Sequence, residues 1–272
     1  MKFKIGFKGY EEEKKEDLQL AKFTESRPVK SVVQVRFPSQ GRSFAYYNDQ
    51  FDLHVGDIVF VEGKLEGVQG VVTEVSRTFK IKLADYKRVI SLADTRVEGT
   101  LYFGGSHMIA FDEGVIPFAK IRDWFLPPEN EDDFAVGFDD DEGFFFDDFE
   151  DFDIRPEIAH RGVEYYKENK VVYLSLCGEK GRAIVMGTKA YEVTFDFDLL
   201  EFAIHNVTCG CFCSYHCKHE FAVLLQLRET IQHIEKYYQD KFKKSNYFAA
   251  ISGDALLSYA KDYGKKGKVV LG

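Results

Sequence analysis

The sequence predicts an α+β protein in three parts: a small N-terminal β-barrel, an acidic disordered linker, and a C-terminal unit of β-hairpins followed by a long helix. Three observations support this prediction. Strand-like runs with glycine-containing turns recur about every ten residues in the first half of the chain. One stretch near the middle is dense in acidic residues. Four cysteines lie directly before a helical pattern near the C-terminus.

The chain up to residue 128 divides into a charged segment and a strand-rich domain. Residues 1–28 contain a mixed-charge run and are predicted to form a mobile N-terminal segment. In residues 29–128, Val33, Val35 and Phe37 alternate with other residue types, which is the period of a strand with one buried face. Further short strands follow, up to a pair of prolines, so this range is predicted to be a small β-barrel-like domain.

A short pattern in this domain resembles a known family. Residues 52–62 lead up to Gly-Asp and then Val-x-Val, and residues 70–72 continue with Gly-x-Val. This arrangement resembles the C-terminal domain of the bacterial polymerase-suppressor family and other SH3-like barrels. The resemblance implies an SH3-like barrel in this part of the chain.

The segment 129–153 carries thirteen acidic residues and no lysine or arginine. The rest of the chain holds 36 basic and 32 acidic residues, so a body with a net charge of +4 carries one intensely acidic insert. Repulsion between the acids opposes compaction and predicts a disordered, low-complexity linker. Interleaved phenylalanines, such as Phe144, Phe145 and Phe152, leave a second interpretation open. The segment could dock on this chain or on a partner and mimic a nucleic-acid backbone.

Residues 154–240 are predicted to form the C-terminal domain. The ranges 171–176, 182–186 and 191–197 have strand patterns separated by glycine turns. After the cysteine cluster, apolar residues at i, i+3, i+4 spacing predict a helix whose apolar stripe belongs to the core. Residues 241–272 are predicted to be a basic tail that can contain a helix. Its lysine clusters interleave with aromatic residues that could stack on bases, namely Tyr247, Phe248, Tyr259 and Tyr263.

The clustering of the cysteines and the lack of a recognisable targeting signal predict a reducing compartment. The chain has no run of eighteen apolar residues, so no membrane segment is expected. The N-terminus lacks a secretory signal, which predicts a cytoplasmic location. Clustered cysteines in such a compartment indicate metal ligands rather than disulfides. The fifth cysteine, Cys177, stands apart and is predicted to be a buried free thiol in a strand.

The cysteine cluster predicts a zinc site. Zinc in structural sites takes four ligands at tetrahedral angles. The preferred set is Cys209, Cys211, Cys217 and His219, because the five residues between Cys211 and Cys217 make a loop long enough to wrap the ion. An alternative set uses Cys211 and Cys213 as the first pair, which leaves a shorter loop before Cys217 and closes more tightly around the ion. In the preferred set, Cys213 is a spare thiol. Two histidines are expected to lie outside the set: His205, which is predicted to lie in the strand, and His216, which is predicted to face solvent.

The order Cys-x-Cys, a gap, then Cys-x-His resembles the signature of the SWIM zinc-finger family, over residues 161–232. The stretches Arg-Gly-Val-Glu-Tyr-Tyr at 161–166 and Cys-Lys-His-Glu-Phe-Ala at 217–222 belong to the match. Family members often have proline after the second cysteine, where this chain has Phe212. The resemblance implies a ββα-type fold in which zinc pins strand to helix. It also implies binding of DNA or other proteins, often as an accessory to transposases, chromatin-remodelling ATPases or ubiquitin-pathway proteins.

The spacing alone predicts a closed structural site, because four protein ligands leave no position for a metal-bound water. Removal of the ion is expected to release residues 209–219 first. The common nucleotide-binding and hydrolase motifs do not occur in the sequence, so no enzyme is predicted. The expected partner is nucleic acid, with DNA favoured, within a larger complex. The alternative is a protein–protein adaptor for an ATPase or other complex, with the acidic linker as a docking or autoinhibitory segment.

Overall fold

The computed structural model describes residues 30–79, 86–128, 144–145, 152, 154–198, 203–260 and 268–269. Within these residues the fold is mixed α and β, with two sheets and five helices, which confirms the predicted α+β class. The predicted mobile segment 1–28 lies outside the described residues, as do most of the acidic segment 129–153 and part of the tail 241–272.

The first sheet contains five strands. They are β1 (Ser31–Phe37), β2 (Arg42–Asn48), β3 (Ile58–Val61), β4 (Gly70–Ser76) and β5 (Val89–Leu92). These strands pair antiparallel in the order β2-β1-β4-β3-β5. The inward-facing side chains of β1 are fully buried and Arg36 between two of them is exposed, as the alternation predicts. A bridge between Tyr47 and Arg88 links β2 to the start of β5, so the sheet curls towards a barrel.

The second sheet contains nine strands. They are β6 (Thr100–Phe103), β7 (Met108–Phe111), β8 (Phe144–Phe145), β9 (Val171–Cys177), β10 (Lys180–Met186), β11 (Ala190–Asp198), β12 (Ala203–Cys209), β13 (Tyr247–Ser252) and β14 (Lys268–Val269). Their order is β14-β6-β7-β13-β9-β10-β11-β12-β8, and every pair is antiparallel except β14 with β6. The hairpins β9–β10 and β10–β11 lie where the glycine turns predict them.

Strand pairing in the second sheet crosses the predicted domain limits. Strands β6 and β7 come from the range 29–128, predicted as one barrel-like domain. They pair with each other and, through β7, with β13, and not with the first sheet. Strand β13 comes from the range 241–272, predicted as a tail, yet it lies between β7 and β9. The physical reason is that alternation along a strand shows which face is buried, but it does not specify which strand is the neighbour.

Five helices complete the described fold. They are α1 (Phe118–Phe125), α2 (Pro156–Lys167), α3 (Lys218–Tyr237), α4 (Gln239–Ser245) and α5 (Gly253–Tyr259). Helix α3 packs with the core on one face of the second sheet and buries Leu224, Leu227 and Ile231, which confirms that the apolar stripe belongs to the core. Helices α1 and α5 contribute to a second core that includes Ile184 and Ala249 of the sheet. The central strands are therefore covered on both faces.

The first sheet contacts helices α1 and α5 through polar and apolar side chains. The Gln69 side chain, just before β4, donates a hydrogen bond to the backbone carbonyl of Trp124 in α1. The Tyr259 hydroxyl of α5 donates to Gln69 Oε1 at 2.8 Å. Ile58 of β3 is buried in the core that α1 and α5 share. The first sheet therefore rests on the side of the molecule formed by α1 and α5.

Candidate metal centre

The four side chains of the preferred ligand set converge. The ligand atoms of Cys209, Cys211, Cys217 and His219 all lie within 4.8 Å of one another. His219 Nδ1 is 3.6 Å from Cys217 Sγ and 3.7 Å from Cys209 Sγ. A tetrahedral zinc ion with the usual bond lengths would hold sulfur and nitrogen about 3.5 Å apart. The observed spacing fits that geometry, so this Cys₃His cluster could hold a metal ion.

The ligands lie where a strand, a turn and a helix meet, in a segment that we call the metal loop (residues 209–219). Strand β12 ends at Cys209, and Cys217 is the N-cap residue of α3. The Cys217 backbone N–H donates to Glu220 Oε2 at 2.8 Å, which fixes the start of the helix. The Gly210 N–H donates to the Glu192 carbonyl of β11 at 2.9 Å. These bonds hold the strand end and the helix start near each other.

The His219 ring is buried between aromatic side chains. It stacks on Tyr191 with ring centroids 4.5 Å apart and meets Tyr165 edge-on at 5.5 Å. Its Nδ1 faces the sulfurs, whereas Nε2 is buried and has no hydrogen-bond partner among the described residues. Gly187 lies on that side, since a Cβ added there would be 3.4 Å from Nε2. The packing therefore presents Nδ1 as the ligand atom.

The protonation of the sulfurs suits a cation. The Cys209 thiol donates a hydrogen bond to Cys211 and lowers the pKa of Cys211 to about 4. A hydrogen bond with Cys209 likewise lowers the pKa of Cys217 to about 7, and the pKa of Cys209 itself is raised by these two bonds. Burial alone would lower the pKa of His219, but hydrogen bonds to Cys217 and Cys211 raise it. The sulfurs therefore share protons with one another, and a soft cation could replace those shared protons.

The other candidate ligands lie outside the cluster. Cys213 is exposed and does not belong to the four side chains that converge, so the geometry favours the pair Cys209 and Cys211. His205 lies on β12 opposite Asp196. His216, expected to face solvent, is half-buried instead, and its Nδ1 is 3.1 Å from Glu220 Oε2. The prediction of a buried Cys177 is wrong: it ends β9 and is exposed, because the strand runs out of the core at that point.

Two residues that support the site were not predicted. Glu220 could have been found from the sequence, because it lies three residues after Cys217, where a carboxylate completes a helix cap. Tyr191 stacks on His219 from another hairpin, and no local pattern links residues so far apart in the chain. Its position depends on the pairing of β11 with β12.

The described parts of the acidic segment contact the second sheet. Strand β8 pairs antiparallel with the start of β12, at Ala203 and Ile204. Phe152 is 4% exposed, belongs to the core beneath α3, and lies 4.1 Å from the His216 ring between centroids. The linker prediction therefore does not describe these residues, which dock on their own chain. Phe152 lies beside the metal loop, and β8 lies at the end of β12 away from Cys209.

Comparisons with known proteins give no relative for this chain. No protein-family model matches it, and neither the curated proteins nor the solved structures include a significant match. In the described part of the chain, no helix is both long enough and apolar enough to cross a membrane.

Proposed function

We propose that this protein is a SWIM-type zinc protein that binds nucleic acid, DNA in particular, as an accessory to a larger complex. The observation that supports it is the convergence of a Cys-x-Cys pair and a Cys-x-His pair at tetrahedral spacing, between a strand end and a helix start. Three sulfurs and one imidazole form a set that zinc prefers. Four protein ligands fill its coordination, which favours a structural role over an enzymatic one.

The charge distribution supports a nucleic-acid partner, although the contribution of the tail differs from the prediction. Lys243 and Lys244 are exposed at the end of α4, so they can meet phosphates. Phe248, predicted to stack on bases, is only 5% exposed because β13 is an inner strand. Tyr259 is half-buried and hydrogen-bonded to Gln69. Within its described residues the tail therefore offers cations rather than fully exposed aromatic faces, and Tyr263 lies outside those residues.

Metal analysis and a salt titration test this function. Native mass spectrometry of the purified full-length protein should show one zinc ion per chain. Fluorescence anisotropy of the zinc-loaded protein with labelled DNA should give an affinity that falls linearly in log salt, by about 0.7 to 0.9 for each phosphate neutralised. Wild-type protein that takes up no zinc, even when zinc is supplied, would contradict the zinc assignment. Zinc-loaded protein that binds no oligonucleotide would contradict the nucleic-acid assignment.

A protein–protein adaptor is the second candidate, and the contacts of the acidic segment favour it. Strand β8 and Phe152 both lie against the unit that carries the metal loop, so the acids could shield that unit until a partner displaces them. Conversion of the four acids at 139–142 to their amides tests the shielding without removing Phe152 from the core. DNA binding should become tighter in this variant. Unchanged or weaker binding would reject an autoinhibitory role.

A further inference from the structure

The metal loop exposes two aromatic rings between its ligands. Phe212 is 95% exposed and Tyr215 is 80% exposed, and both lie in the stretch that Cys211 and Cys217 bracket. Exposed apolar side chains scattered singly are normal on a protein surface, whereas two exposed rings on one short loop can form a contact patch. Neither ring supports the metal cluster or the core, so packing does not explain their presence. They are available for binding.

The loop is also well suited to hold the rings in place. Ligands at both ends of a short loop restrict its backbone when the ion is bound. A loop whose backbone is already restricted loses less conformational entropy when its rings bind, which favours tight contact. An aromatic side chain has few torsion angles that become restricted on binding, so it adds contact area with little loss of conformational entropy.

A lysine lies beside one of the two rings, a second lysine belongs to the same loop, and the stretches that carry them contain no acid. Lys189 Nζ is 5.6 Å from the centroid of Phe212, and Lys218 Nζ is 4.5 Å from that of Tyr165. The ranges 187–191 and 209–219, which form this surface, contain no aspartate or glutamate. The surface therefore combines flat apolar rings with positive charge.

We infer that Phe212, Tyr215, Lys189 and Lys218 form a binding face for single-stranded DNA, a conclusion that rests on the proposed nucleic-acid function. Exposed rings can stack on unpaired bases, whereas the faces of paired bases are covered within a duplex. The lysines can meet the phosphates between the stacked bases. Two rings on one short loop are too small for a standard protein interface of about 800 Å² per partner, and residues 209–219 have no aliphatic side chain to extend the patch.

Anisotropy with the full-length, zinc-loaded protein tests the face directly. The probes are a labelled mixed-sequence single-stranded DNA, the same DNA as a duplex, and a single-stranded RNA of the same sequence. Phe212→Ala and Tyr215→Ala should each weaken single-strand binding by about 5- to 150-fold, the range expected for loss of one stacked base. Phe212→Trp should retain binding, because tryptophan also stacks. Lys189→Ala should reduce the salt slope by about 0.7.

Two controls separate a local effect from a general one. Leu257→Ala removes another exposed apolar side chain, 84% exposed on α5, and should leave affinity unchanged within twofold. Each variant should retain one zinc ion per chain, which shows that the loop still holds the metal.

The outcomes distinguish this inference from the function on which it rests. If wild-type protein binds single-stranded DNA but Phe212→Ala/Tyr215→Ala binds equally well, the inference fails and the nucleic-acid function stands. Equal or tighter binding to the duplex, or binding to RNA more than about tenfold tighter than to DNA, also overturns the inference. If wild-type protein binds none of the probes, both proposals fail, and a protein partner for this face is indicated instead.

Discussion

Phe152 gives a sharp test of the structure, because it lies in a segment whose composition predicts a solvated spacer. Its side chain is 4% exposed, packs in the core beneath α3, and contacts His216 and Phe221. Truncation of a buried phenylalanine to alanine removes its transfer free energy and leaves a cavity, which together cost about 3 to 5 kcal/mol. We expect Phe152→Ala to lower the free energy of unfolding by about 3 kcal/mol, the lower end of that range.

The same chemical change at an exposed site is the matched control. Phe212 is 95% exposed, so Phe212→Ala should change the free energy of unfolding by less than about 0.5 kcal/mol. Urea unfolding followed by far-ultraviolet circular dichroism measures both variants. Thermal scans should show a decrease in Tm of roughly 6 to 12 °C for Phe152→Ala, at about 2 to 4 °C for each kcal/mol. If the two variants unfold at the same urea concentration, Phe152 is not part of the core.

Three further predictions concern the metal, the close packing of Gly181 against Phe195 on the neighbouring strand, and pH. Cys217→Ser should reduce zinc content to near zero and remove hydrogen-exchange protection from the metal loop. The inner strands of the second sheet should stay protected, because most of the residues in their cores lie outside that loop. Gly181→Ala should lower the free energy of unfolding, as measured by urea denaturation, by about 1 to 3 kcal/mol. The reason is that the added Cβ would lie 2.0 Å from the Phe195 ring. Burial alone would raise the pKa of Glu229, but hydrogen bonds from Ser106 and Tyr166 outweigh burial and hold this pKa below its ordinary value. The Glu229 carboxylate therefore stabilises the fold at neutral pH. That stabilisation is lost as pH falls through the acid range below about 4.3.

Each of these predictions has a control or a refuting result. Retention of full zinc by Cys217→Ser would mean that this sulfur is not a ligand. Gly210→Ala is the control for Gly181→Ala, because a Cβ added at Gly210 would lie 3.7 Å from its nearest neighbour, an ordinary contact distance. Equal stability of the two glycine variants would contradict the close approach of Gly181 to Phe195. Glu229→Gln should lose stability relative to wild type at neutral pH but not at low pH. A difference that persists unchanged at low pH would contradict the assigned carboxylate.

The sequence alone was sufficient for the candidate site, because that site is local. All four members of the cluster lie within residues 209–219, so their spacing along the chain limits their spacing in space. The apolar stripe of α3 was also predictable, since helical periodicity is set by neighbouring residues. The choice between Cys209 and Cys213 remained open, because either could pair with Cys211 at the same spacing.

Only the tertiary structure decided which segments lie together. Pairing of β13 with β7 and β9, and of β8 with β12, joins parts of the chain that composition assigns to different units. Burial of Phe152 within an acidic stretch follows from those contacts and not from its neighbours in sequence. Periodicity and charge describe what a segment can bury or expose, whereas the partner it meets depends on the free energy of the whole packed chain.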